Sequence, residues 1–164
     1  MAGARHSLVG RYMALQNKVF DRLRHRRAFE AARQEGTAPG FDHFRGARQC
    51  VVVTFRRSGE PVPTPVNFGL TDAGTLIFRT EDGTGKLKRL RRDPHVRVFP
   101  CSLRGKPLGA TVEGTARVLP DAERERADAA LAANWRPEVK VLERGYDRVG
   151  VASVYVEVTP AAVR

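Results

Sequence analysis

The stretch Leu76–Val98, LIFRTEDGTGKLKRLRRDPHVRV, passes from a strand-like run through a glycine-rich turn into a short basic helix and back into a strand. Residues 75–80 (TLIFRT) are strand formers. Thr84 stands where a hydroxyl caps a first helical turn, and Asp93-Pro94 closes the last, because a residue before proline leaves the helical region. The expected helix has about two and a half turns, with Leu87 and Leu90 as its apolar anchors. Its start gathers hydrogen-bond donors around one point. Thr80 ends the strand, Thr84 begins the helix, the backbone N–H groups of Gly85 and Lys86 are unclaimed by the helix, and Lys86 brings an ammonium. Such a set suits a phosphate monoester or diester, and Lys88, Arg89, Arg91 and Arg92 extend the charge beyond it. The plainer reading is a well-capped basic helix in solvent.

Upstream, residues 50–57 (CVVVTFRR) read as a strand, Arg57-Ser58-Gly59-Glu60 as a turn, and residues 62–70 (VPTPVNFGL) as the returning strand. Pro61, Pro63 and Pro65 alternate, so three missing N–H groups fall on one side of that strand. It is expected to be an edge, or to pair on its other side alone. The turn at residues 71–74 leads into the strand at 75–80, giving a three-stranded meander. Downstream, residues 95–101 (HVRVFPC) form a strand that turns through residues 104–107 into residues 109–119 (GATVEGTARVL), with Gly114 as a candidate bulge. Residues 121–134 have helix composition with acids in the first turn, and residues 151–159 (VASVYVEVT) alternate as a last strand. The expected fold is mainly β with flanking helices, a six-stranded antiparallel barrel.

Residues 1–46 differ from the rest. Leu8, Tyr12, Leu15, Val19 and Leu23 recur at helical spacing, widened by Val9, Met13 and Phe20, which predicts an amphipathic helix over about residues 7–34. Its polar face carries Arg22, Arg24, His25, Arg26 and Arg27. A basic helix of this kind serves a membrane surface or a nucleic acid, or packs its stripe on the protein body or a second subunit. The expected division is an N-terminal helical extension over 1–46 and a barrel domain over 47–164.

The chain has 164 residues and a formal net charge of +11, with 29 basic residues against 18 acidic ones. That balance points to an anionic partner without choosing among nucleic acid, membrane and small molecules. No apolar run reaches the length of a membrane-spanning helix, and the N-terminus lacks a signal-peptide pattern, so a cytoplasmic location is expected. Cys50 and Cys101 sit in apolar surroundings without metal-ligand spacing, as reduced structural thiols do; no metal site is expected. The histidines at 6, 25, 43 and 95 form no catalytic constellation with an acid or nucleophile. His95 reads as a structural residue, and the catalytic residues stay unknown, with Tyr146 and His43 as candidate proton donors. A chain so equipped is a binding module, or an enzyme whose cofactor carries the reaction.

Three blocks in order, GEPVPTPVNFGL (59–70), LIFRTEDGTGKLKRLRRDPHVRV (76–98) and VEGTARVL (112–119), resemble the split β-barrel flavin-binding proteins related to pyridoxamine 5'-phosphate oxidase. Within that family they are most similar to the branch that uses the deazaflavin coenzyme F420. The likeness spans about residues 47–160. Its most specific part is the set Thr80, Thr84, Lys86, Leu90, Asp93-Pro94 and Val96. The resemblance implies an FMN-binding type of split barrel, a homodimer with a cofactor site in each groove between subunits, and a small-molecule substrate. It implies phosphate contacts from Thr80, Thr84, Gly85 and Lys86, with Lys88 and Arg89 beside them. Pro63, Thr64, Pro65, Val66 and Asn67 would line the ring system, Asn67 reading its pyrimidine edge. It further implies hydride transfer between coenzyme F420 and an electron-poor organic substrate; for the carboxylate tail of that coenzyme, Lys88, Arg91, Arg92 and Arg97 with the N-terminal arginines offer a basic groove. The alternatives are an FMN-binding reductase or oxidase on the same fold, a non-catalytic cofactor carrier, and a basic nucleic-acid-binding protein, for which no recognised motif stands. Thr64 and Gly69 replace the basic residues that pyridoxamine-phosphate oxidases carry on the second strand, which argues against a pyridoxal-type substrate.

Overall fold

A computed structural model describes residues 26–134 and 152–162. Six strands, β1 (Gln49–Phe55), β2 (Pro61–Leu70), β3 (Leu76–Glu81), β4 (His95–Cys101), β5 (Val112–Val118) and β6 (Ser153–Pro160), close into an antiparallel barrel in the order β1-β2-β3-β6-β5-β4. Helix α1 (Arg26–Ala32) precedes the barrel, α2 (Gly85–Arg92) joins β3 to β4, and α3 (Arg124–Asn134) follows β5. The expected mainly-β, six-stranded antiparallel barrel is the one observed. No helix among the described residues is long and apolar enough to cross a membrane.

The run CVVVT in β1 lacks polar alternation because both of its faces are covered. Cys50 and Val52 point into the barrel with Phe68, Leu76, Phe78, Val96, Val98, Val112, Val156 and Val158. Val51 and Val53 point outward, beneath Ala28 and Ala32 of α1 and beside Phe99 and Cys101. A third cluster joins Ile77, Leu119 and Tyr155 to Ala127 and Leu131 of α3. Phe41 and Phe44 belong to the barrel core, Phe44 meeting Phe68 edge to face at 5.8 Å between ring centroids. Both thiols are buried and unbonded to each other; burial raises that of Cys50 well above its usual range and that of Cys101 to about 12.

The alternating prolines do what the ladder requires. Residues 61–67 of β2 pair with β1 along its whole length, whereas β2 meets β3 only from Phe68 to Leu70. The side of β2 that three prolines leave without donors is the side with no neighbouring strand. The barrel is therefore split between β2 and β3.

Several boundaries differ from the sequence reading. β1 stops at Phe55, two residues early, because Gly59 at φ 83° lets its N–H reach the Arg56 carbonyl at 2.9 Å and starts the turn there. β5 starts at Val112 because the Thr111 carbonyl is taken by the N–H groups of Thr37 and Ala38. Gly114 is no bulge, since its register with Val96 and Pro160 is regular. A Cβ there would come within 2.7 Å of Val158 Cγ1, so the glycine answers crowding inside the barrel. The helix read over 121–134 opens with a 3-10 turn at Asp121–Glu123. Of the helix read over 7–34, the part up to residue 25 lies outside the described residues, and α1 ends at Ala32, two residues early, because 33 and 34 form turn bonds to Glu30 and Ala31. Val151 and Tyr146 also lie outside the described residues.

Candidate functional site

The open end of the barrel is where α2 lies. Gly83 takes φ 77°, a left-handed conformation that glycine adopts without steric cost, and turns the chain from β3 into the helix. Thr84 then caps it, its hydroxyl accepting from the Leu87 N–H at 3.4 Å and donating to the Glu81 carbonyl at 3.1 Å. Thr80 Oγ1 lies 3.4 Å from Thr84 Oγ1. Leu87 and Leu90 descend into the barrel core and fix the helix over this end of the barrel. Asp93 ends it, as the Asp-Pro pair predicts.

With the helix fixed by its leucines, its cations are distributed by position. Lys86 is buried, with Nζ 5.2 Å from the centroid of the Phe78 ring. Arg89 donates from Nε to Thr54 Oγ1 at 2.7 Å, and its guanidinium lies over the first turn: a Cβ on Gly85 would sit 3.1 Å from Nη1. Arg92 donates to the Phe55 carbonyl, and Arg91 pairs with Asp82 at 3.5 Å. Lys88 is exposed. No acid stands in the first turn of α2. Thr80, Thr84, Gly85 and Arg89 thus meet at the positive end of a helix dipole, a set whose chemistry fits a phosphate, while the Lys86 ammonium lies inward over Phe78.

The ring-strand residues divide by pleat. Val66 and Thr64 stand opposite Cys50 and Val52 and share the inner face, Val66 within the barrel core. Pro63 and Pro65 stand opposite Val53 and Val51 on the outer face, which α1 covers. A Cβ on Gly105 would touch both Pro65 Cγ, at 3.7 Å, and Ala28 Cβ, at 3.8 Å, so α1, the β4–β5 turn and β2 meet at Pro65. Asn67 shares that face at its far end, where its Oδ1 accepts from Gln49 Nε2 at 3.2 Å. The strand path from Val62, opposite Thr54, to Asn67 is about 17 Å. The anion end and the Asn67 end are therefore the two ends of one strand beside the split.

Two residues take other places. His43 binds the Ala110 carbonyl at 2.9 Å, before the start of β1, whereas α2 meets the end of β1. Arg97 does not join the α2 cations. It bonds Glu113 at 2.8 Å and the Ala32 carbonyl at 3.3 Å, and Glu113 also takes the Gly36 N–H and His95. These bonds hold Glu113 below its usual pKa range against the opposing effect of burial, and they pin the chain after α1 to the barrel. His95 completes the contact by stacking on Phe55. Thr54 was not singled out by sequence. Its only signal is a hydroxyl at an inward position of a run whose other inward members, Cys50 and Val52, are apolar.

A family model described as pyridoxamine 5'-phosphate oxidase matches residues 41–164. No curated protein matches the chain. Among solved structures, the protein Atu2129 of Agrobacterium tumefaciens, of unknown function, aligns with a TM-score of 0.56 at 17% identity, over 81% of this chain and 60% of that one. HutZ, the heme storage protein of Vibrio cholerae, gives 0.55 at 12%, over 73% and 86%. The conserved hypothetical protein Rv2991 of Mycobacterium tuberculosis gives 0.53 at 19%, over 80% and 87%. At such identities the likeness is one of fold.

Proposed function

The chain belongs to the pyridoxamine 5'-phosphate oxidase family, and on that footing we propose that it is an oxidoreductase holding a phosphorylated flavin-type cofactor, the deazaflavin coenzyme F420, at the α2 end of the split. The observation that carries this reading is the meeting of Thr80, Thr84 and Arg89 at the first turn of α2, with Lys86 buried behind it, beside the strand edge that Pro61, Pro63 and Pro65 keep free of a neighbour. The bound ring supplies hydride chemistry toward an electron-poor organic acceptor; the chain anchors the phosphate and fixes the ring's orientation. The cofactor's other wall comes from a second copy of the chain in a homodimer.

Pyridoxal-type substrates are disfavoured by packing. At Gly69 a Cβ would fall 2.1 Å from the Ala130 carbonyl oxygen, so the backbone of α3 occupies the space a basic side chain would need. A second reading, FMN in place of coenzyme F420, is favoured by Arg97: its commitment to Glu113 and Ala32 removes one of the cations expected to receive a carboxylate tail. Titration with coenzyme F420 is expected to quench its fluorescence at micromolar or lower Kd, and Lys86→Ala to raise that Kd about tenfold or more, the scale of a charge-assisted bond. A yellow protein with a flavin spectrum would select FMN instead, and binding of neither would overturn the proposal.

A further inference from the structure

We infer that Thr54 is the positioning residue of the phosphate site, acting through Arg89. The inference rests on the reading of the α2 end as a phosphate site. Thr54 is 1% exposed and lies on the inner face of β1, where a valine of equal size would bury without polar cost. A hydroxyl there needs a partner, and it finds one in Arg89 Nε of α2 at 2.7 Å. Arg89 follows Gly85 by one helical turn, and a long side chain in a helix leans toward the N-terminus. The Thr54 tether fixes where that lean ends, with Nη1 against Gly85, which has no Cβ to fill the place. The guanidinium is so held at the positive end of α2, where it and the helix dipole both favour an anion with several acceptor oxygens. Thr54 therefore sets recognition of the phosphate and leaves recognition of the ring to β2.

The test compares ligands differing only in the phosphate: FMN against riboflavin, and coenzyme F420 against its phosphate-free deazaflavin alcohol, with Kd read by fluorescence. The wild-type chain is expected to prefer the phosphorylated member of at least one pair. Thr54→Val is expected to cut that preference about tenfold, the scale of one charge-assisted bond, with the Kd of the phosphate-free member unchanged; Thr54→Ser, which keeps the acceptor, restores it. Should Thr54→Val not fold, Arg89→Lys, at a half-buried position of α2, gives the same reading, because one ammonium cannot both reach Thr54 and lie over Gly85. Preference in the wild type that survives in a folded Thr54→Val, or in Arg89→Lys where that variant stands in for it, overturns the role of Thr54 alone, as does equal weakening of both ligands. A wild type with no preference overturns the phosphate site and this inference with it.

Discussion

Two residues carry more of this structure than their size suggests. Gly69 lets β2 touch the backbone of α3, with a built Cβ 2.1 Å from the Ala130 oxygen and 2.7 Å from the Leu131 nitrogen. Neither atom is a flexible side-chain tip that can swing away. Gly69→Ala is expected to cost roughly 3 kcal/mol or more, read as a fall in the midpoint of urea unfolding; an unchanged midpoint would show that α3 moves aside freely. Glu157 is the other. It is nearly buried on the outside of the barrel, bonded by Arg117 at 2.7 Å, Arg126 at 3.0 Å and Thr75 at 2.8 Å. The Arg126 bond most of all, opposed by burial and helped by Arg117 and Thr75, brings its pKa down to about 2. A carboxylate with a depressed folded pKa stabilises the fold fully above its unfolded value of 4.5 and loses that contribution as pH falls toward about 2. Solvent around the two arginines screens part of it, leaving about 2 kcal/mol. Stability measured by denaturant is thus expected to fall between pH 5 and pH 2.5, and Glu157→Gln to flatten that fall while lowering stability at pH 7. An identical pH profile in the variant would remove Glu157 from the account.

Among the elements, α1 and α2 play opposite parts around one barrel. α2 is short and basic and is held in the barrel core by Leu87 and Leu90. α1 is held by small residues: Ala28 and Ala32 lie flat on Val51, Val53, Phe99 and Cys101, and the Arg97–Glu113 pair fastens the chain that follows. Close approach of this kind leaves no room for a longer side chain. Ala28→Leu is expected to lower stability by about 2 kcal/mol and, by lifting α1 from Pro65, to increase binding of an apolar dye such as ANS. A variant as stable as the wild type with no gain in dye binding would mean that α1 is not closely packed there. The same elements mark what was legible in sequence. Thr84 and Asp93-Pro94 announce α2 because capping and pre-proline geometry are local. The fastening of α1 is not legible, because Glu113 lies 77 residues from Gly36 and only the barrel brings them together.

At the scale of the molecule, the basic side chains among the described residues have separate employments. Arg117 and Arg126 stitch α3 and β6 through Glu157 and Glu123, Arg97 fastens the segment after α1, and Lys86, Arg89 and Arg92 close the split end. The sequence by itself determined the strand order of the meander, the turn before α2, its cap and its stop, and the proline edge of β2, since each depends on neighbours in the chain and on backbone stereochemistry. Tertiary structure alone decided that the proline edge faces a split, that Pro63 and Pro65 point under α1 while Thr64 and Val66 point inward, and that Thr54 reaches Arg89. The physical reason is register: in a sheet one residue's shift exchanges the two faces, and only closure of the barrel, driven by burial on both sides of β1, selects which face meets which partner.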